Sequence, residues 1–217
     1  MNNVKAKIDE ILSFVKSRTD IDWMTSALLE LELQDLAELI TSGNEPVTGK
    51  VTRKTKVVSA FPACGKTYLF NHLKCSPCFK AIDSASSEFS WIYTDDGKER
   101  NPDFPRNYIE HIKENIGKYD LIFVSSHKQV RDALKEAGIE YTLVYPDRSL
   151  KEEWLGRCWI RQNQGTQGFP LDVLNLFWEE WIDECEEDAK NRESIVLQHG
   201  EYLYQYGGVL LDIKYPV

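Results

Sequence analysis

Lys56-Val57-Val58-Ser59-Ala60-Phe61-Pro62-Ala63-Cys64-Gly65-Lys66-Thr67-Tyr68-Leu69-Phe70-Asn71-His72 is the stretch on which the fold turns. Residues 56–60 form a short apolar run of the kind that makes a buried strand, and residues 66–72 begin a helix. Between them, Ala60 to Thr67 follows the phosphate-loop pattern G-x-x-x-x-G-K-[ST] at Gly65, Lys66 and Thr67, with alanine in the first place. Gly65 lets the backbone come close to a phosphate, and successive N–H groups of the loop from Ala63 and Cys64 to Tyr68, with Pro62 shaping the turn but lacking an N–H, form an anion nest at a helix N-terminus. Lys66 then reaches the β- and γ-phosphates, and the Thr67 hydroxyl takes Mg²⁺. Ala60 requires its position to adopt a backbone conformation open to any L-residue. An ordinary strand-to-helix turn with a surface lysine is the plain alternative, and the strand before and helix after the motif argue against it.

Outward from this loop, short apolar runs alternate with helical patterns. Strands are expected at 79–83, 120–125, 141–146 and 194–197. Helices are expected at 105–116, 128–137, 149–161 and 170–191, with a tail helix near 200–207 stopped by Gly207-Gly208. Strands that alternate with crossover helices define an α/β fold with a mostly parallel sheet flanked by helices. Before it, residues 3–42 read as two amphipathic helices, followed by a linker at 43–55 with a basic end at Lys50, Arg53, Lys54 and Lys56. The organisation is therefore an N-terminal helical pair and linker, 1–50, and a phosphate-loop domain, 51–217.

The full chain has 217 residues, 42% of them hydrophobic and 12% aromatic, enough for a sizeable core and against global disorder. Its 26 basic and 35 acidic residues leave a net charge of −9, which repels long phosphate backbones. The N-terminus leads into an amphipathic segment, so no secretory leader is expected, and no apolar run is long enough to span a membrane. Five irregularly spaced cysteines fit a reducing cytoplasm. Cys75-Ser76-Pro77-Cys78 has no second ligand pair for zinc.

The segments 59–67, Ala81-Ile82-Asp83-Ser84, Ile122-Phe123-Val124-Ser125-Ser126-His127 and the arginine-bearing 148–161 together resemble the P-loop nucleoside and nucleotide kinases, in a form like small kinase-type proteins of bacteriophages. The resemblance covers roughly 56–200 and implies a three-layer P-loop sheet, ATP or another NTP with Mg²⁺, and a cytoplasmic location, that of the host if the chain is phage-encoded. It also implies an acidic residue at the end of the second strand. Asp83 stands there, as a base for the attacking hydroxyl or as a Mg²⁺ partner through water. Arg157 and Arg161, spaced i,i+4 on one helix face, resemble lid arginines that neutralise the transferring phosphoryl group, with Arg148 in support; pairing with nearby Glu152 and Glu153 is the other possibility. The strand at 121–124 ends in Ser125-Ser126-His127, where the family's second motif would place a carboxylate. Asp120 starts that strand and points to the wrong end of the sheet.

On the acceptor side, the segment 86–100 reads as a loop holding an acceptor base against Trp91 or Tyr93, or packing those rings beneath itself. Asp103-Phe104-Pro105-Arg106 resembles an acceptor-arginine run at a position unlike the family's, and leaves Arg106 as a phosphate contact. Ser125 and His127 complete the acceptor candidates, with helix capping the alternative for His127. Three functions fit these residues. The favoured one is transfer of the γ-phosphoryl group to a nucleotide, above all a (deoxy)nucleoside monophosphate. The second is a kinase for a hydroxyl on a modified DNA base or strand end, which the acidic chain disfavours. The third is a nucleotide-binding interaction module whose N-terminal helices self-associate or carry a partner.

Overall fold

Each apolar run of the α/β segment folds where its periodicity places it. The computed structural model describes residues 54–74, 79–95, 97–163 and 169–211, with Glu10, Ile11, Ser13 and Leu33 from the preceding segment. The paired helices expected at 3–42, most of the linker and the Cys75/Cys78 pair lie outside them. The strands are β1 (Lys56–Ala60), β2 (Ala81–Asp83), β3 (Trp91–Thr94), β4 (Gly97–Arg100), β5 (Leu121–Ser125), β6 (Thr142–Pro146) and β7 (Ser194–Leu197). The helices are α1 (Lys66–Lys74), α2 (Ser87–Ser90), α3 (Arg106–Asn115), α4 (Lys128–Glu136), α5 (Lys151–Asn163), α6 (Leu171–Ala189) and α7 (Gly207–Leu210).

Five of these strands form one parallel sheet in the order β2-β5-β1-β6-β7. Its centre is buried on both faces, as a parallel sheet covered by helices requires. Val58, Leu121, Ile122, Phe123, Val124, Leu143 and Val144 have no exposed surface. Ala60 lies opposite Ser125 of β5 and Val144 of β6, so the chain leaves β1 between two strands reached by opposite crossovers. That is the switch point at which open α/β sheets bind ligands. Ala60 is thus still strand, and a methyl group is tolerated where the motif has glycine.

Helix α6 buries Leu174, Trp178, Ile182 and Cys185 at helical spacing and turns Glu179, Asp183 and Glu187 to solvent. At its end Asp188, also buried, gathers four donors. Arg131 of α4 pairs with it at 2.9 Å, the Tyr141 hydroxyl donates at 2.6 Å, and Arg192 and Lys135 each approach at 2.8 Å. Arg131 also donates to the Ser126 carbonyl at 2.9 Å, which ties this cluster to the end of β5.

Two expectations are corrected. Residues 91–100 form an antiparallel hairpin, β3–β4, instead of a loop. The cause is legible: Trp-x-Tyr and Lys-x-Arg alternate around Thr94-Asp95-Asp96-Gly97, and Gly97 supplies φ +133°. Gly207-Gly208 opens α7 instead of stopping a helix. Gly207 has right-handed φ −56° and continues directly from a 3₁₀ turn at Leu203–Tyr206. No helix among the described residues is long and apolar enough to cross a membrane.

Candidate active site at the phosphate loop

The loop after β1 is held by its own carbonyls and amides. Phe61 N donates to Val144 O at 2.8 Å, Leu203 N donates to Cys64 O at 2.8 Å, and Trp154 Nε1 donates to Pro62 O at 2.9 Å. Carbonyls tied outward leave the first amides of α1, which have no acceptor within a helix, for a ligand. Gly65 takes φ +94°, and a Cβ there would lie 3.3 Å from Tyr202 Cδ1 and so press on the ring. Ala63 also takes a left-handed φ of 62°, a conformation that costs a non-glycine residue about 1 kcal/mol or more. The Cys64 thiol is buried and pushed up to about 12 by desolvation. It packs as a neutral group, leaving the backbone as the part of Cys64 that serves the loop.

Lys66 is half-buried at the head of α1. Desolvation lowers its pKa first; the charges of Asp83 and Cys64 raise it, and Arg161 lowers it further. These couplings bring Lys66, Asp83 and Arg161 into one neighbourhood from the first helix, the second strand and α5. A cavity of about 1060 Å³ opens beside Lys66 and Arg161, while Asp83 itself does not line it. Ala60, Pro62 and Lys66 line one part, and Ser125, His127, Trp91 and Arg161 line the rest. His127 has its pKa lowered by desolvation and then by Lys66, Arg100 and Arg131, which favours the uncharged ring. It stands before α4 with no side-chain capping bond, which removes the capping alternative.

Other predicted residues lie elsewhere. Arg148 is spent on the outer face of α6, paired with Glu179 and Glu186 at 2.8 Å each and with Asp183. Arg157 is buried under the loop, with its guanidinium 3.9 Å from the centres of both the Trp154 and Tyr202 rings. It pairs with Glu153 and donates to Glu201 O at 2.8 Å. It therefore clamps the C-terminal segment beneath the loop and does not line the cavity, whereas Arg161, one turn later, does. Arg106 pairs with Asp103 at 2.5 Å outside the cavity. Tyr68 offers its amide; its ring packs on His72 and Tyr204. Trp91 lines the cavity, but Lys98 and Arg100 sit over its ring at 4.7 and 4.3 Å, on the ring that one of the two readings gave to an acceptor base.

Sequence reasoning missed Lys98 and Arg100, Lys128 and the buried Ser84, all of which line the cavity. The hairpin pattern would have revealed the first two. Replacing Arg157 by alanine is expected to destabilise the fold by about 1–3 kcal/mol, because Glu153 and the two rings lose their partner. Chemical denaturation measures this, and in the folded variant ATP affinity should change far less than in an Arg161→Ala variant.

Among the described residues, no group of three or more His, Cys, Asp or Glu could hold a metal ion by itself. A Mg²⁺ arriving on a nucleotide needs less, because phosphates and water fill most of its shell. The exposed Thr67 at the loop and Asp83, close enough to Lys66 to act on its charge, are the donors that fit such an ion. Bound there, it would neutralise charge developing on the phosphates.

No family model matches the chain, and no curated protein matches it. Among solved structures it is similar to a gluconokinase from Sinorhizobium meliloti 1021, with 15% identity and a TM-score of 0.42 over 74% of this chain and 91% of that one. The function is argued from this chain's own residues.

Proposed function

We propose that the protein is a phosphotransferase that moves the γ-phosphoryl group of ATP, or another NTP, to a nucleotide-type acceptor, above all a (deoxy)nucleoside monophosphate. One observation carries this: the phosphate loop with Lys66 and the strand-end residues Ser125 and His127 open onto a single cavity with room for both a donor's phosphates and an acceptor. Lys66, the loop amides and Arg161 stabilise charge on the transferring group. Transfer of this kind depends on positioning and electrostatics more than on covalent help from the protein. Asp83 would help hold a Mg²⁺ ion brought in with the nucleotide. A monophosphate attacks through a phosphate oxygen that carries no proton at neutral pH, so His127, which lines the cavity, serves to position the acceptor.

The likeness to small bacteriophage kinases belongs with this proposal and rests on the sequence segments named above. The test offers γ-labelled ATP with Mg²⁺ to the full chain together with deoxynucleoside monophosphates, with DNA carrying hydroxylated bases, and alone. Label transferred to a nucleotide that depends on Lys66 supports the proposal. Label found only in DNA assigns the acceptor to the strand, and ATP binding with no transfer to any acceptor sinks the enzymatic function.

A further inference from the structure

The hairpin β3–β4 has two chemically different faces. Its register pairs Trp91 with Arg100, Ile92 with Glu99 and Tyr93 with Lys98. Cross-strand partners share a face and alternate residues oppose them. Trp91, Tyr93, Lys98 and Arg100 therefore project together, and all four line the cavity. Ile92 and Glu99 project the other way and do not. A chain of net charge −9 thus turns a doubly cationic, aromatic surface toward the phosphate loop.

Unlike Arg131 and Lys128 of the cavity wall, these two cations make no ion pair among the described residues. Arg131 is tied to Asp188 and Glu184, and Lys128 to Asp132. Lys98 and Arg100 pair with no carboxylate among the described residues, and what they touch is the Trp91 ring. Arg100 lies near enough to His127 to lower its pKa, as Lys66 does from the loop side. His127 thus feels the charge of both the loop's lysine and the hairpin's arginine. Deeper in the same cavity Ser84, 5% exposed, has a hydroxyl with no hydrogen-bond partner among the described residues. A buried hydroxyl left unpaired is costly unless a ligand or water satisfies it.

We infer that this hairpin is the acceptor clamp, with Lys98 and Arg100 taking a phosphate group of the acceptor and exposed Tyr93 flanking its base. The inference rests on the phosphotransferase proposal and names what that proposal leaves open: which residues hold the acceptor's phosphate, and hence that a bare nucleoside cannot replace the nucleotide. The phosphate can belong to a free nucleotide or to a strand, since arginine and lysine bind either through the same charge-assisted hydrogen bonds.

Calorimetry on the full chain tests this with a non-hydrolysable ATP analogue held at saturation. The probes are the common deoxynucleosides, their 5′-monophosphates and a short oligothymidylate. At least one phosphate-bearing probe should bind about tenfold or more tightly than its nucleoside, and the K98A/R100A variant should abolish that advantage. Affinity for the ATP analogue itself should not change. The K98M/R100M variant keeps apolar stems over Trp91, so it should lose the advantage with the hairpin intact. E99Q, on the opposite face, should alter nothing.

A tight monophosphate identifies a free nucleotide as the source of the phosphate, and a tight oligomer identifies a strand. Nucleosides that bind as well as their monophosphates, or a phosphate advantage that survives both double variants, would overturn the inference. The ATP arm keeps the two levels apart. Normal, Lys66-dependent analogue binding with no effect of the hairpin variants removes only the clamp. Failure of the wild-type chain to bind the analogue removes the phosphotransferase proposal and the clamp with it.

Discussion

Replacing Lys66 by methionine is expected to lower phosphoryl transfer by about 10²–10³-fold, the usual cost of losing one preorganised group that stabilises transition-state charge. The fold should survive unharmed. Lys66 is partly desolvated, so its ammonium is held at a cost that methionine does not bear. The thermal midpoint should therefore stay level or rise while activity falls, a split that a merely structural lysine would not give.

A pH signature accompanies it. Burial lowers the pKa of Lys66 in the free protein, and anionic phosphates at the loop favour its charged form. Nucleotide binding then takes up a proton as pH rises through the lysine's lowered range, so ATP affinity should weaken over that interval. Titrations at a series of pH values measure the slope, and K66M should flatten it. A variant that transfers phosphate as well as the parent would remove Lys66 from the site.

The second large effect lies away from the loop. Asp188→Ala is expected to cost about 3–5 kcal/mol of folding free energy, because it leaves Arg131 buried without its closest carboxylate. The Tyr141 hydroxyl, Arg192 and Lys135 lose the same acceptor. Although burial pushes the Asp188 carboxyl upward, the hydrogen bonds from Lys135, Tyr141, Arg192 and Arg131 together hold it well below the usual carboxylate range. A depressed folded-state pKa contributes stability that is present above the unfolded value of about 3.9 and is lost as pH falls below it. Urea denaturation should therefore show the wild type losing stability on acidification below about pH 4. Asp188→Asn should be weaker at pH 7 and less steep in acid. Equal stability of D188N and the parent at neutral pH would show that the cluster is not the tie between α4, α6 and β6.

Much of the site was legible along the chain because its parts are local. Ala60 to Thr67 lies between one strand and one helix, and each backbone requirement is set within a few residues. The strands at 56–60, 121–125 and 142–146 were equally plain, since strands buried on both faces read as near-continuous apolar runs. The helical face of Arg157 and Arg161 was correct as periodicity, but periodicity cannot say what packs against each turn. The Glu201 carbonyl arrives from 44 residues further on, with Tyr202 beside it, and the two take Arg157 into the core. Arg161 is left at the cavity. Arg148 is likewise taken by three acids of α6, more than 30 residues away.

By itself, the sequence determined the phosphate loop, the parallel α/β fold and the polarity of the sheet on which the loop sits. Those follow from local pattern, through 3.6- and 2-residue periods and the special backbone needs of Gly65. Only the tertiary structure decided which cations face the cavity. A long side chain answers to whatever carboxylate, ring or carbonyl the folded chain brings within reach, and those partners come from distant segments. The same packing turned one face of a short hairpin, carrying Lys98 and Arg100, toward Lys66.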